Sequence, residues 1–552
     1  MMEIDTAVDR GLELATIPLL MSSHYRVLVL DGISPKGVEV LDSEKDIEVV
    51  VAKPKSESEL LEELPNFDAV AVRSATKIPK SVIEKCDRLK VIGRAGVGVD
   101  NVDVDAATEK GIVVMNTPGG NTISTAELAF TLMLSVARNV PQADSSVKSG
   151  KWERKKYQGT ELNKKALGIV GMGRIGSEVS RRAIAFGMRV LAFDPYLSVS
   201  RAKSLQVELF DHLDEMLPEC DFITLHIPMT EETKGLINKD RLKKCKPSLR
   251  IINCARGGLI NESDLDECLE SETIAGAALD VYESEPPAAD LPLLKQDKVV
   301  LTPHLGASTA EAQESVGIEI AESIRDLLQT GTVRNAVNMP NVDARTLETL
   351  RPYLDLSSKL GLILSRMIGG RCETLKVNYA GKLREMNTTS ITRSAVMGFL
   401  KHAGQSEVNE VNALKYADSR GLAIQETKIS EAGDFSELMT LRAKRSDGKE
   451  YQISGTFFGM GARIVMLNGY NLEAVPEGVL LIMENEDRPG IVGSIGSLLG
   501  KHNLNIASMS LSRSEAGARA WSIFNLDSKP SEELLEEVRE DKHITATVVV
   551  EI

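Results

Sequence analysis

Nothing in this sequence narrows the possible folds more than Gly171-Met-Gly-Arg-Ile-Gly176. An apolar run, 166–170, leads into it, and a segment with helical spacing follows. In a strand–turn–helix unit the first glycine permits the tight turn. The second lets backbone approach a pyrophosphate, and the third lets the helix pack close to the sheet. The helix N-terminus then offers free N–H groups to the phosphates. Asp194 stands 18 residues beyond Gly176, at the end of the apolar run 190–193. A carboxylate there accepts hydrogen bonds from ribose hydroxyls and repels a 2′-phosphate, so the expected cofactor is NAD rather than NADP.

The surrounding pattern predicts an α/β protein with two doubly wound parallel-sheet domains. Apolar runs at 26–31, 47–51, 68–73, 89–93 and 112–115 alternate with helical or loop segments, which reads as a first small domain. A second series, 166–170, 190–193, 222–226, 250–254, 277–281 and 299–302, forms a larger one. A helix expected at 310–329 can return to the first domain and make it discontinuous. Residues 341–476 read as mixed α/β, with a helix at 353–367 and a hairpin, 438–444 and 450–456, around Asp447-Gly448. From 479 onward the pattern is strand, helix, strand, hairpin turn at 515–517, strand, helix, strand. That βαββαβ order is ferredoxin-like. The expected division is an extension at 1–24, a substrate domain at 25–116 with 315–335, and a cofactor domain at 117–314. An intervening domain at 336–476 and a regulatory domain at 479–552 complete it.

Composition excludes several function classes. With 42% hydrophobic and 26% charged residues over 552 positions, the chain is neither disordered nor fibrous. No apolar stretch reaches the ~18 residues of a membrane helix. A net charge of −15 repels phosphodiester backbones and anionic membranes, so no nucleic acid and no membrane partner is expected. An anionic ligand must therefore find a local basic pocket. The six cysteines form no C-x-x-C pair and no metal-ligand spacing, so reduced thiols and no metal are expected. Glu3, Asp5, Asp9 and Glu13 make the start too acidic for a targeting peptide, and a cytoplasmic protein is expected.

Three ionisable residues fall at the carboxyl ends of later strands, where ligands of open α/β sheets bind. They are Arg256, Glu285 and His304. Removing a hydride from a secondary alcohol also requires taking the hydroxyl proton, which a histidine does near neutral pH. A carboxylate orients the ring, and an arginine clamps a substrate carboxylate. His226 also ends a strand, and only the partners of His304 separate the two. Arg73 and Ser74 end the strand 68–73 and make a candidate phosphate cradle. Arg94 leads into Ala95-Gly-Val-Gly98, whose N–H groups can form an anion nest; an internal ion pair is the alternative for Arg94. Trp152-Glu-Arg-Lys-Lys156 is basic and reads as a solvated run or a contribution from a neighbouring subunit.

These motifs together resemble the D-isomer-specific 2-hydroxyacid dehydrogenase family. They are Val72-Arg-Ser-Ala-Thr-Lys77, Gly93-Arg-Ala-Gly-Val-Gly-Val-Asp-Asn101, Met115-Asn-Thr-Pro118, the glycine loop, Asn253-Cys-Ala-Arg-Gly-Gly258, Gly276-Ala-Ala-Leu-Asp280, Glu285-Pro286 and Pro303-His-Leu-Gly-Ala-Ser308. The resemblance implies a Rossmann-type cofactor domain and a flavodoxin-like substrate domain. It implies Arg256 as substrate arginine, Glu285 as partner of the base and His304 as acid–base residue. NAD would lie against Gly171, Gly173, Arg174, Ile175, Gly176, Asp194, Ile227, Cys254, Ala255, Arg256, Asp280, His304, Leu305, Gly306 and Ala307. Asp280 would take the carboxamide. Val97 and Ile227 stand where some relatives carry hydroxyls, leaving backbone contacts there. Arg73, Ser74, Arg94, Gly96, Asn116 and Arg256 would hold the substrate, 3-phospho-D-glycerate. The last unit resembles an ACT domain, implying L-serine at Asn485, Asp487 and Asn505; a ligand-free dimerisation module is the alternative. Residues 336–476 resemble an intervening domain that binds anions, for which Lys444, Arg445 and Arg463 supply charge, or that serves as a spacer. A homo-oligomer, dimer or tetramer, is implied. A dehydrogenase for another D-2-hydroxy acid and a non-catalytic NAD-sensing scaffold are the competing readings.

Overall fold

The structure is a computed structural model that describes residues 24–401, 408–515 and 517–552. The expected extension lies outside them but for His24, as does Ala516 of the expected hairpin turn.

The first sheet contains β1 (Tyr25–Val29), β2 (Ile47–Val51), β3 (Ala69–Val72), β4 (Val91–Arg94) and β5 (Val113–Met115). All are parallel, in the order β2-β1-β3-β4-β5. Their apolar runs exist because both faces are covered. Val27, Val29, Ala69 and Val91 share one cluster with Val316, Ile320 and Ile324 of the helix Ala310–Thr330. Leu28, Val70, Val72 and Ile92 face the other way, into a cluster with Leu60, Ile83 and Ala107. The long helix thus returns to the first sheet. It meets the helix Pro35–Asp42 so closely that a Cβ on Gly37 would collide with the backbone of Gly317.

The second sheet has seven parallel strands: β6 (Ala166–Val170), β7 (Arg189–Phe193), β8 (Glu208–Phe210), β9 (Phe222–Leu225), β10 (Arg250–Asn253), β11 (Gly276–Leu279) and β12 (Val299–Leu301). The order is β12-β11-β10-β9-β6-β7-β8. The order reverses between β6 and β9, which is the switch point where doubly wound sheets bind ligands. Strand β8 is not foreseen from the sequence. It is a three-residue edge strand with no buried position, so it carries no apolar run.

Strands β13 (Cys372–Gly381), β14 (Ala423–Ile429), β15 (Glu437–Arg445), β16 (Glu450–Phe458), β17 (Gly461–Leu467) and β18 (Tyr470–Ala474) form the third sheet, ordered β14-β13-β15-β16-β17-β18. The β15–β16 hairpin pairs Lys444 with Glu450 around the Asp447-Gly448 turn. The helix expected at 353–367 is longer, Ala344–Ile368, and runs through Pro352. Asp343 caps it, accepting from the Thr346 N–H at 3.0 Å. Leu347 and Leu350 extend the buried stripe upstream of the proline, and that burial outweighs the hydrogen bond the proline removes.

The last sheet holds β19 (Val479–Glu486), β20 (Ile506–Arg513), β21 (Arg519–Leu526) and β22 (Ile544–Glu551), antiparallel in the order β20-β21-β19-β22. Alternation along β19 divides it. Leu481 and Met483 pack with Ile495 and Leu534 of the two helices. Leu480 and Ile482 point oppositely, into the core of the intervening domain. Among the described residues no helix is long and apolar enough to cross a membrane.

Candidate active site

The cofactor cleft is built by the glycine loop. Gly171 has φ +93°, a conformation that favours glycine. Gly176 lies against Gly171, so a Cβ there would collide with the Gly171 carbonyl oxygen. A Cβ on Gly173 would meet nothing within 4 Å, so the loop leaves space where a pyrophosphate approaches the helix Arg174–Ala185. Asp194, just beyond β7, accepts from the Met172 N–H and the Tyr196 N–H, both at 2.8 Å. It fixes the loop while each oxygen keeps a lone pair for a ribose hydroxyl. Ile227 packs beside Gly171. Cys254 is buried, and burial pushes its thiol far up, leaving it neutral. These features fit a dinucleotide.

His304 adopts a left-handed backbone, φ 55°. Asp280 imposes that turn. Its backbone carbonyl accepts the His304 N–H at 2.9 Å, and its carboxylate accepts from Leu305 N–H at 2.7 Å, Gly306 N–H at 2.9 Å and the Thr302 hydroxyl at 2.6 Å. Burial raises the Asp280 pKa in spite of these donors. Ser124 and Thr125 donate to the Gly306 carbonyl, tying the loop to the helix Thr122–Arg138. The His304 Nδ1 lies 2.6 Å from Glu285 Oε2. A carboxylate only accepts, so Nδ1 carries the proton and Nε2 is the free base position. Glu285 is itself held by the Tyr282 N–H at 3.2 Å.

Arg256 reaches from the cofactor domain to the first domain. Its Nε stands 3.5 Å from Asp100 Oδ2, and its guanidinium fills the place a Cβ on Gly98 would need. Arg94 packs against Gly96. Its Nε is buried without a hydrogen-bond partner. Burial, then the like charge of Arg256 and, more weakly, Arg73, disfavours the charged form of Arg94. Arg94 and Arg256 thus crowd one glycine-rich loop, and the charge of Arg73 also reaches Arg94, in a chain of net charge −15. Asn116 donates to the Val97 carbonyl at 2.6 Å, and Ser74 is exposed beside Arg73.

Several supporting residues were not singled out from the sequence. Asp31 accepts from the Arg73 and Thr76 N–H groups at 2.9 and 3.0 Å, while Asn101 donates to the Arg73 and Thr76 carbonyls. Asn253 bonds the Arg256 carbonyl and the Ala255 N–H. Asp31 follows β1 at the carboxyl end of a strand, a position that marks it in hindsight. His226 lies away from this cluster's bonds: its Nε2 pairs with the Thr224 hydroxyl at 3.0 Å, and burial lowers its pKa to about 4.

In the last domain Asn485 is 2% exposed, and its Oδ1 has no partner. Asp487 is already paired with Arg513 at 2.6 Å, and Asn505 with Asp527 at 2.9 Å. In the intervening domain Arg445 is paired with Asp447 and Arg463 with Glu473. Trp152 is 79% exposed. Among the described residues no group of three His, Cys, Asp or Glu is placed to hold a metal.

Comparison with known proteins resolves the kinship. The chain is 45% identical to D-3-phosphoglycerate dehydrogenase of Archaeoglobus fulgidus over 527 residues, covering 95% of this chain and 99% of that protein. The chain belongs to the D-3-phosphoglycerate dehydrogenase family. The Bacillus subtilis member is 40% identical over 96% of this chain and its own full length. Residues 130–306 match the D-isomer specific 2-hydroxyacid dehydrogenase NAD binding domain. Residues 349–468 match the D-3-phosphoglycerate dehydrogenase intervening domain, and 479–543 the ACT domain. Among solved structures, the TT0316 protein of Thermus thermophilus superposes with a TM-score of 0.52 at 34% identity, covering 56% of this chain and 99% of that one. The apo-structure of D-lactate dehydrogenase from Escherichia coli gives 0.51 at 28% identity, over 56% and 99%.

Proposed function

We propose that this chain oxidises 3-phospho-D-glycerate to 3-phosphohydroxypyruvate, the first committed step toward L-serine, with NAD as cofactor. The observation that supports the reading is the crowding of Arg94 and Arg256 against the Gly96 and Gly98 backbone, with the charge of Arg73 also reaching Arg94, beside the His304–Glu285 hydrogen bond as the candidate base. A substrate with a phosphate and a carboxylate needs several cations. A lactate-sized acid needs one, so the arginine count favours a substrate with two anionic groups over D-lactate. Gly171, Gly173 and Gly176 with Asp194 would hold the dinucleotide, and bound NAD supplies the hydride acceptor. Arg256 clamps the carboxylate and Arg73 with Arg94 the phosphate. His304 takes the hydroxyl proton at Nε2. Glu285 keeps the proton on Nδ1 and stabilises the imidazolium that forms. Asp280 holds the loop that aims the ring.

Our reading of the division into domains is 25–116 with 315–335 for substrate, 117–314 for cofactor, 336–476 intervening and 479–552 regulatory. L-serine is the effector we assign to the last unit. The unpartnered Oδ1 of Asn485 supports that choice by offering an acceptor to an ammonium group. A homo-oligomer and a cytoplasmic location complete the reading; six unpaired cysteines suit a reducing compartment. The test is NADH formation from 3-phosphoglycerate beside D-lactate and 2-hydroxyglutarate, with and without L-serine. Preference for 3-phosphoglycerate is expected; no reduction with any of the three substrates rejects the catalytic reading, and rates that serine leaves untouched reject the effector assignment.

A further inference from the structure

Two acids stand beside the arginine cluster, and they are held very differently. Asp31 is 9% exposed, and its oxygens are taken by the Arg73 N–H, the Thr76 N–H and the Thr76 hydroxyl. It is committed to the shape of the 73–76 loop. Asp100 has an 80% exposed side chain. Its contact with Arg256 Nε at 3.5 Å is the only ion pair or hydrogen bond of that carboxylate among the described residues. The chain folds back at Gly98 so closely that a Cβ there would meet both Asp100 Oδ2, at 2.6 Å, and the Arg256 guanidinium. The Asp100 charge also reaches Arg94. An exposed acid whose partner among the described residues is Arg256 thus faces the arginine that would clamp substrate.

We propose that Asp100 is an internal counter-ion that occupies the carboxylate position of Arg256 until substrate displaces it. The inference rests on the reading of Arg256 as the substrate clamp. An exposed pair at this distance is weak, so a ligand anchored elsewhere by its phosphate displaces it readily. A simple inorganic anion lacks that second anchor and must compete with Asp100 directly. The arrangement discriminates by opposing the wrong ligand as well as attracting the right one. Without Asp100 the three guanidinium groups would accept sulfate or phosphate more freely.

The test uses the full chain carrying Asp100→Asn, an isosteric change that removes only the charge. At low ionic strength the KM for 3-phosphoglycerate should fall about two- to fivefold, the range expected for an exposed pair. The Ki for sulfate should fall at least as much, and the KM for NAD should not move. In about 1 M KCl, where screening acts within ~3 Å, the difference between variant and parent should vanish. A substrate KM or a sulfate Ki that stays put or rises overturns the proposal. So does a difference that survives high salt, which marks a structural effect. If the parent makes no NADH from 3-phosphoglycerate, the functional reading fails. Sulfate-induced thermal stabilisation still judges the counter-ion, with the variant expected to gain more than the parent and equal gains overturning it.

Discussion

His304 shows how much a single residue depends on its neighbours. Its left-handed backbone, its tautomer and its direction come from Asp280, Glu285 and the Gly306 anchor. Replacing His304 by Ala should lower turnover by about 10²–10⁴-fold while NAD still binds. Stopped-flow NAD binding with steady-state rates checks this, and near-normal turnover would reject the assignment. Glu285→Gln keeps the shape but removes the charge that stabilises the imidazolium. Turnover should therefore fall about tenfold or more while NAD still binds. Steady-state rates check this, and unchanged turnover would show that the His304–Glu285 contact plays no part in the reaction. As candidates, these residues were legible from their places after strands. Their supporting bonds were not: Asp280 reaches Leu305 and Gly306 across 25 and 26 positions and Asp31 reaches Arg73 across 42, while Asn253, three residues from Arg256, acts through a turn that carries no periodic pattern.

At the scale of the element, the glycine loop makes two opposite demands. Gly176 is required by the fold, since a Cβ would collide with the Gly171 carbonyl. Gly173 is not required by packing, since a Cβ there meets nothing within 4 Å; the proposed dinucleotide is what a glycine there would serve. Gly176→Ala should destabilise the cofactor domain by about 1–3 kcal/mol through overpacking. Gly173→Ala should leave the thermal midpoint unchanged while raising the KM for NAD about tenfold, a loss of roughly 1.4 kcal/mol. Equal melting of the two variants would contradict this division of roles. Strand types could be read from periodicity in the two parallel-sheet domains and the last unit, whereas in 341–476 only one helix and one hairpin were placed, and the helix Thr389–Lys401 and strands β13, β14, β17 and β18 were not. The exceptions have physical causes. Strand β8 is an edge with no buried position, and the helix Ala344–Ile368 passes a proline because its buried stripe starts upstream.

Across the whole molecule, the intervening and last domains are not independent beads. Leu480, Ile482, Trp521, Ile523 and Val550 share one cluster with Leu350, Leu354, Leu441 and Ile453. Strands β19 and β21 of the last domain are therefore covered on both faces, by its own helices and by its neighbour, while edge strand β20 stays largely exposed. The intervening domain also grips the first one. Asn409 donates to the Gly111 carbonyl at 2.8 Å, and Lys415 pairs with Asp105 and Glu109. Trp521→Ala should cost about 3–5 kcal/mol and loosen both domains together. Hydrogen exchange along β16 and β21 checks this: faster exchange in β21 alone, with β16 unchanged, would separate the two domains.

Periodicity, glycine spacing and the placement of ionisable residues after strands made the α/β class, the order of units and the candidate chemistry readable from the chain alone. Those signals are local, because a strand or a turn is written in neighbouring residues. Convergence is not local. That Arg94 and Arg256 crowd the same glycine-rich loop, that Asp100 faces Arg256, and that one sheet face is covered by another domain all depend on chain segments brought together by burial. No spacing along the sequence encodes those distances; they come from the packing of apolar surfaces that the helices and sheets must hide from water.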